Sequence, residues 1–246
     1  MMQRMDLHVH TTYSDGANTP EEMILAAIDA GLETIGFSDH SYTFFDESYC
    51  MKKEQQQAYR AEIRALGEAY RDKIRVLCGV EQDYASDAST DGFDYVIGSV
   101  HYLPCRGEYV PVDESEETLQ AAVQKYFAGD FYLLAEAYYK CVADVVRKTG
   151  ASIIGHFDLI SKFNERTPLF DEQHPRYRTA WQKAVDTLLA CDVPFEINMG
   201  AIAKGYKTVP YPNPEMRRYI CEHGGRFLLS SDSHSVRTVA FGFDTL

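Results

Sequence analysis

Asp6-Leu7-His8-Val9-His10, followed by Ser14-Asp15-Gly16, is the stretch from which the fold can be read. In an extended strand, side chains two apart share a face. A strand from about Arg4 to His10 would therefore project His8 and His10 together, with Asp15 on the loop just beyond. Two imidazoles and a carboxylate suit Zn, Mn or Fe. The motif gains force because ligand-type residues recur at the ends of later apolar runs.

Those runs alternate with amphipathic stretches. Thr19-Pro20-Glu21-Glu22 combines an N-cap, a first-turn proline and a capping glutamate, and starts a helix that Gly31 ends. Thr34 to Ser38 predicts a buried strand leading into Asp39-His40, and a charged helix spans roughly Lys52 to Arg71. Further strands are expected at Arg75 to Val80, Tyr95 to Val100, Ser152 to Gly155, Pro194 to Ile197 and Arg226 to Ser230. They run into Glu81, His101, His156, Asn198 and Asp232-Ser233-His234 respectively. Glu114 to Lys148 reads as helix with a break near Gly129-Asp130; Arg176 to Ala190 and Pro214 to His223 supply two more helices.

Alternating strands and helices imply a parallel sheet. Seven such units over 246 residues predict one α/β domain, a closed barrel rather than an open sheet. No eighth strand is evident, and Leu246 follows the seventh too soon for a full closing helix.

Hydrophobic residues at 45% and charged residues at 25% describe an ordinary globular chain. A net charge of −13 argues against a nucleic-acid partner, because such binding relies on Lys and Arg neutralising phosphates. Six scattered cysteines with no close pair suit free thiols in a reducing compartment. With no apolar signal core and no run of membrane-span length, the expected location is the cytoplasm, without a membrane partner.

Barrels of this kind carry their sites at the C-terminal ends of the strands. His8, His10, His40, His101, His156 and His234 are expected there with Asp15, Glu81 and Asp232, six of the eight histidines. Nine such groups exceed one tetrahedral site, so more than one metal is implied. Metals about 3.5–4 Å apart are a usual device for hydrolysing phosphate esters. His223, in the last turn of a helix, and His174, in a loop, are expected to be structural. No nucleophile elbow, phosphate-binding loop, dinucleotide fingerprint or CxxC pair is present.

Asp6-Leu7-His8-Val9-His10-Thr11, Ser14-Asp15-Gly16 and Ser38-Asp39-His40 resemble the opening of the PHP (polymerase and histidinol phosphatase) superfamily. Gly98-Ser99-Val100-His101-Tyr102, Gly155-His156-Phe157-Asp158-Leu159, Glu196-Ile197-Asn198 and Ser230-Ser231-Asp232-Ser233-His234 are similar to the histidinol-phosphate phosphatases within it. The resemblance spans nearly the whole chain and implies a distorted seven-stranded (β/α)7 TIM-like barrel over residues 1–246. It also implies three divalent ions, Zn, Mn or Fe. His8, His10, Glu81 and Asp232 would hold one, Glu81 bridging to a second on His101 and His156, and Asp15, His40 and His234 the third. Many members have histidine at the position of Asp15, and most continue with a further C-terminal helix.

The implied activity is a phosphomonoesterase for L-histidinol phosphate in histidine biosynthesis, with Glu81, Asp232, His101 and His156 as catalytic residues. A hydroxide bridging two metals would attack phosphorus in line with the leaving alcohol. Lys204, Lys207, Tyr102 and Asn198 are candidate substrate contacts, with Lys162 and Ser99 as outer groups. The loop residues Tyr42, Phe44, Phe45, Asp46 and Glu47 suit the cationic end of an amine-bearing ring. Competing expectations are another small phosphate ester, a nucleic-acid 3′ end, or a metal-binding module without catalysis.

Overall fold

The computed structural model describes residues 4–245. Seven parallel strands form one sheet: β1 (Met5–Asp6), β2 (Thr34–Phe37), β3 (Arg75–Asp83), β4 (Tyr95–Ser99), β7 (Ile153–Ile154), β8 (Phe195–Asn198) and β9 (Phe227–Ser230). A separate antiparallel hairpin, β5 (Tyr102–Cys105) and β6 (Glu108–Pro111), follows β4. The sheet curls until its first and last strands meet. Val9 bridges Ser233 in parallel, with His10 N donating to Ser233 O at 2.8 Å and Ser233 N to His8 O at 3.1 Å. The result is the nearly closed seven-stranded α/β barrel that the sequence implies.

The helices are α1 (Pro20–Asp29), α2 (Gln56–Ala69), α3 (Glu116–Tyr126), α4 (Phe131–Thr149), α5 (Pro175–Leu189), the short α6 (Gly200–Ala203) and α7 (Pro214–Glu222). The expected capping box starts α1: Glu22 N donates to Thr19 Oγ1 and Thr19 N to Glu22 Oε2. Pro20, Met23, Ile24 and Ala27 then share a buried face, the 3.6-residue period of a helix laid on a sheet. Between α3 and α4 the chain breaks at Ala128 and Gly129, both at positive φ, and Asp130 caps α4 through Tyr132 N at 2.9 Å.

Alternation along the strands separates two kinds of interior. Ile35, Phe37 and Cys78 pack outward under α1 and α2, and Phe195 packs under α4 and α5. Tyr95, Ile97 and Ile153, with Leu7, Leu77 and Leu228, form a small apolar cluster of their own. Tyr95 fills the barrel floor, its hydroxyl donating to Leu7 O at 2.7 Å and Phe37 O at 3.0 Å. Only glycine suits the two strand positions beside it: a Cβ on Gly36 or Gly79 would lie 2.4 or 2.3 Å from the tyrosine. Two residues further along the same strand faces, the inward groups become polar: Glu81, Ser99 and Ser230.

Two expectations need correcting, and one element was not foreseen. β1 ends at Asp6, so His8 and His10 lie on a segment beyond the strand, tied to the chain after β9 by the Val9–Ser233 bridge and to Ser38 by hydrogen bonds to Val9. β3 continues to Asp83, which puts Glu81 inside the strand rather than at its end. The β5–β6 hairpin stands in a stretch for which no element was predicted, turned by Arg106 and Gly107 at positive φ.

Asp6 secures the seam. Its carboxylate accepts Ser231 N and Ala240 N, both at 3.1 Å, and the Ser231 hydroxyl, tying the first strand to the chain after the last. Asp6→Ala leaves those buried donors without an acceptor, so we expect a loss of roughly 3 kcal/mol, or about 10 °C in Tm. Thermal unfolding measures it, with Asp6→Asn as the milder control; a shift below about 2 °C would remove this role for Asp6.

Candidate metal centre

Nine donors converge on the polar end of the barrel, and Glu81 lies between them. Its Oε2 faces His40 Nδ1 at 3.0 Å, His8 Nε2 at 3.2 Å and His10 Nε2 at 3.6 Å. Its Oε1 faces His156 Nε2 at 2.9 Å and His101 Nε2 at 3.4 Å, and accepts the Ser99 hydroxyl at 2.6 Å. Asp232 Oδ1 lies 3.5 Å from His10 Nε2 and 3.8 Å from His8 Nε2. Asp15 sits at the outer edge, 3.3 Å from His234 Nε2, 3.7 Å from His40 Nε2 and 3.9 Å from His10 Nδ1. Four overlapping sets are close enough to share an ion: His8, Glu81 and His156; His40, Glu81 and His101; His8, His10 and Asp232; His10, Asp15, His40 and His234. All nine sequence-predicted donors are brought together.

Several buried polar atoms here have no hydrogen-bond partner: His8 Nε2, both nitrogens of His10 and Glu81 Oε2. Unpaired buried polar groups are costly, so native interiors rarely leave them without a partner. His8 Nε2 and His10 Nε2 face Glu81 Oε2 across 3.2 and 3.6 Å and His10 Nδ1 faces Asp15 at 3.9 Å, all hard and borderline donors of the kind divalent ions take. The residues fit a metal cluster.

The electrostatics express the same demand for positive charge. Burial opposes ionisation of Glu81, yet the imidazoles of His8, His101 and His40 hold its carboxyl well below the usual range. Burial likewise opposes ionised Asp232, and Lys204 and His8 overcome it. For His8, burial disfavours the cation but Glu196, Glu81 and Asp232 prevail and raise it well above the ordinary value. His10 goes the other way, pushed down by burial and by His234 and His40, so it stays a neutral donor.

The groups that aim these donors were not singled out from sequence. Glu196 Oε1 lies 2.5 Å from His8 Nδ1, while its Oε2 accepts His156 N at 2.9 Å. Asp83 Oδ2 lies 3.2 Å from His101 Nδ1 and accepts that residue's N–H at 2.9 Å. Asp39 accepts Thr11 N, Thr11 Oγ1, Ser14 N and Ser14 Oγ, which fixes the loop carrying Asp15. A period-two signal was available: Asp83 and Glu196 each stand two residues from a strand position already noted, Glu81 and Asn198. Asp232 is held at φ 52°, a left-handed conformation, and a Cβ on Gly200 would come within 2.6 Å of its Oδ2.

A cavity of about 310 Å³ opens over the donors. Lys204 and Tyr102 line it, along with Lys162, Asp46, Tyr49 and Asp113. Asn198 and Lys207 are buried behind the wall instead. Asn198 Nδ2 donates to Asp232 Oδ2 at 3.1 Å and Glu196 Oε2 at 3.0 Å, so it orients a ligand. Lys207 donates to Ser161 Oγ at 3.0 Å and lies over the Tyr211 ring. Lys162 donates to Asp113 Oδ2 at 3.0 Å. Of the aromatic-acidic loop, Asp46 reaches the cavity and accepts the Tyr102 hydroxyl at 2.6 Å. Phe45 stacks on Tyr109 of the hairpin at 3.9 Å, Phe44 is exposed, and Tyr42 donates to Glu47. His174 caps α5 and His223 follows α7, both as structural groups.

The PHP domain model matches residues 6–200. A Deinococcus radiodurans protein named probable histidinol-phosphatase is 33% identical over 97% of this chain and 89% of its own length. Among solved structures, a Listeria monocytogenes chain named hisK superposes with a TM-score of 0.83 at 20% identity, covering 98% of this chain and 99% of that one. The histidinol phosphate phosphatase of Lactococcus lactis, solved with Zn, L-histidinol and phosphate, gives 0.71 at 22% identity over 95% of this chain and 87% of its own. The barrel, the converging donors and these matches agree: the chain belongs to the PHP domain family.

Proposed function

We propose that this chain is a metal-dependent phosphomonoesterase that hydrolyses L-histidinol phosphate to L-histidinol and phosphate, a step of histidine biosynthesis. One observation carries the reading: a buried carboxylate, Glu81, presents one oxygen to His8 and His10 and the other to His101 and His156. That is the arrangement needed to join two adjacent ions. The names of the Deinococcus and Lactococcus relatives, and the zinc, histidinol and phosphate bound by the latter, support the substrate and the metal class.

In this reading the chain holds three divalent ions, Zn, Mn or Fe. His8, His10, Glu81 and Asp232 bind one, Glu81 with His101 and His156 a second, and Asp15 with His40 and His234 a third. Bound there, the ions supply a water ionised near neutral pH and neutralise the phosphoryl oxygens. The protein's own side chains do the rest. Lys204, beside Asp232 on the cavity wall, draws in the phosphate. Asp46, fixed by the Tyr102 hydroxyl, faces the far side of the cavity and receives the ammonium or imidazolium end, with Tyr102 offering a ring face. Asn198 and Lys207 serve the site from behind, one holding Asp232 and the other supporting Tyr211.

Turnover of a panel of phosphate esters by metal-loaded protein tests the assignment. A preference for histidinol phosphate over a simple alkyl phosphate of at least about tenfold in kcat/KM, roughly 1.4 kcal/mol, is expected. Equal values would leave a phosphatase and remove the histidine-pathway assignment. Glu81→Ala should lower kcat/KM by at least about a hundredfold and further than alanine at any one of the six histidines, since it loosens two ions together. Near-native activity and metal content in Glu81→Ala would refute the bridging role.

A further inference from the structure

The three donor groups differ in how they are built. In the two that share Glu81, one histidine of each is backed by a carboxylate that is not itself among the nine donors. Glu196 stands behind His8 at 2.5 Å and Asp83 behind His101 at 3.2 Å. A carboxylate accepting the far N–H of a ligating imidazole fixes its tautomer and raises its basicity, and losing such a partner typically lowers metal affinity about 10–100-fold. The third group has no such reserve. The far nitrogen of His234 meets the main-chain oxygen of Asp232 at 3.0 Å and, more distantly, its Oδ1 at 3.6 Å, and that of His40 meets Glu81; both carboxylates already belong to the other groups.

Exposure runs the same way. The side chains of Asp15 and His234 are 36% and 20% exposed, whereas those of His8, His10 and Glu81 are 0%, 0% and 1%. Water that reaches a ligand competes for the ion and screens the ligand's charge, so an ion at the mouth is held more weakly than one in the barrel.

We infer that the cluster binds its ions in graded fashion. The two ions around Glu81, backed by Glu196 and Asp83, are resident; the ion on Asp15, His40 and His234 exchanges with solution. This rests on the metal-centre reading above and adds the order of affinity to it. Glu196 and Asp83 are positioning residues that act through His8 and His101.

Equilibrating zinc-loaded full-length protein against a chelator-buffered series of free Zn²⁺, and counting equivalents by atomic emission, tests the grading without any assay of activity. Wild-type protein should release one equivalent at a free zinc concentration at least about tenfold above that releasing the other two. Asp15→Asn should abolish or weaken that first step and leave two equivalents in place. Glu196→Gln and Asp83→Asn keep side-chain shape, and each should weaken one of the two retained equivalents by about 10–100-fold. Three equivalents released in a single step would overturn the grading alone, as would a weak step untouched by Asp15→Asn. Uptake of no more than one equivalent would overturn the metal-centre reading and the grading with it.

Discussion

Glu81 is an ionised carboxylate buried in a barrel, and burying such a charge costs several kcal/mol unless partners surround it. Imidazoles of five histidines stand within 3.6 Å of its two oxygens, and the Ser99 hydroxyl donates to one of them. Each imidazole then needs its own far nitrogen occupied. Glu196 and Asp83 meet that need for His8 and His101, and Asn198, Ser230 and main-chain N–H groups meet it for the carboxylates in turn. The polar end of the barrel is therefore a connected network in which moving one member leaves another unsatisfied.

Such a network requires walls that do not move. They come from the strand alternation that also makes the core: one face of each strand packs under helices, the other into the barrel, where Tyr95 fills the floor and polar groups follow two residues on. The Gly36 and Gly79 positions that admit Tyr95, and the Gly200 position that admits Asp232, show where side-chain volume was given up to seat a functional layer. Asp6 closes the ring by bonding the segment after β9.

Much of this was legible in the sequence because both signals are periodic. Short apolar runs separated by amphipathic helices announce parallel strands, and histidines at the ends of those runs announce a site. The details that were not legible depend on tertiary context. His8 and His10 converge although β1 stops at Asp6, because one parallel bridge from Val9 to Ser233 replaces the missing strand. Neither Asp83 nor Glu196, the latter quoted only as part of a motif, was given a role, since a carboxylate on a strand gives no sign of whether it meets water or an imidazole. The β5–β6 hairpin escaped notice for a different reason: Pro104 and Pro111 argue against strand, yet the pair lies outside the barrel sheet, where a missing N–H is tolerated. Lys207, expected from its loop position to contact substrate, is instead buried over Tyr211, something only packing reveals.

A chain of net charge −13 is an unpromising receptor for a phosphate dianion until charge is counted locally. The proposed ligands contribute three carboxylates, Asp15, Glu81 and Asp232, and neutral imidazoles. Three divalent ions would bring six positive charges against those three and the carboxylates of Glu196 and Asp83 behind them, a surplus of about one before Lys204 is added. Asp46 and Asp113 line the cavity as well, outside the donor cluster, and neither is placed to share an ion with it. Asp113 is paired with Lys162 at 3.0 Å, which leaves Asp46, bonded to the Tyr102 hydroxyl, as a cavity carboxylate outside the cluster without a cation from the cavity wall. On the proposed reading, a ligand with phosphate at one end and an amine at the other meets the ions and Asp46 at once, a match that a strand of repeating phosphates does not make.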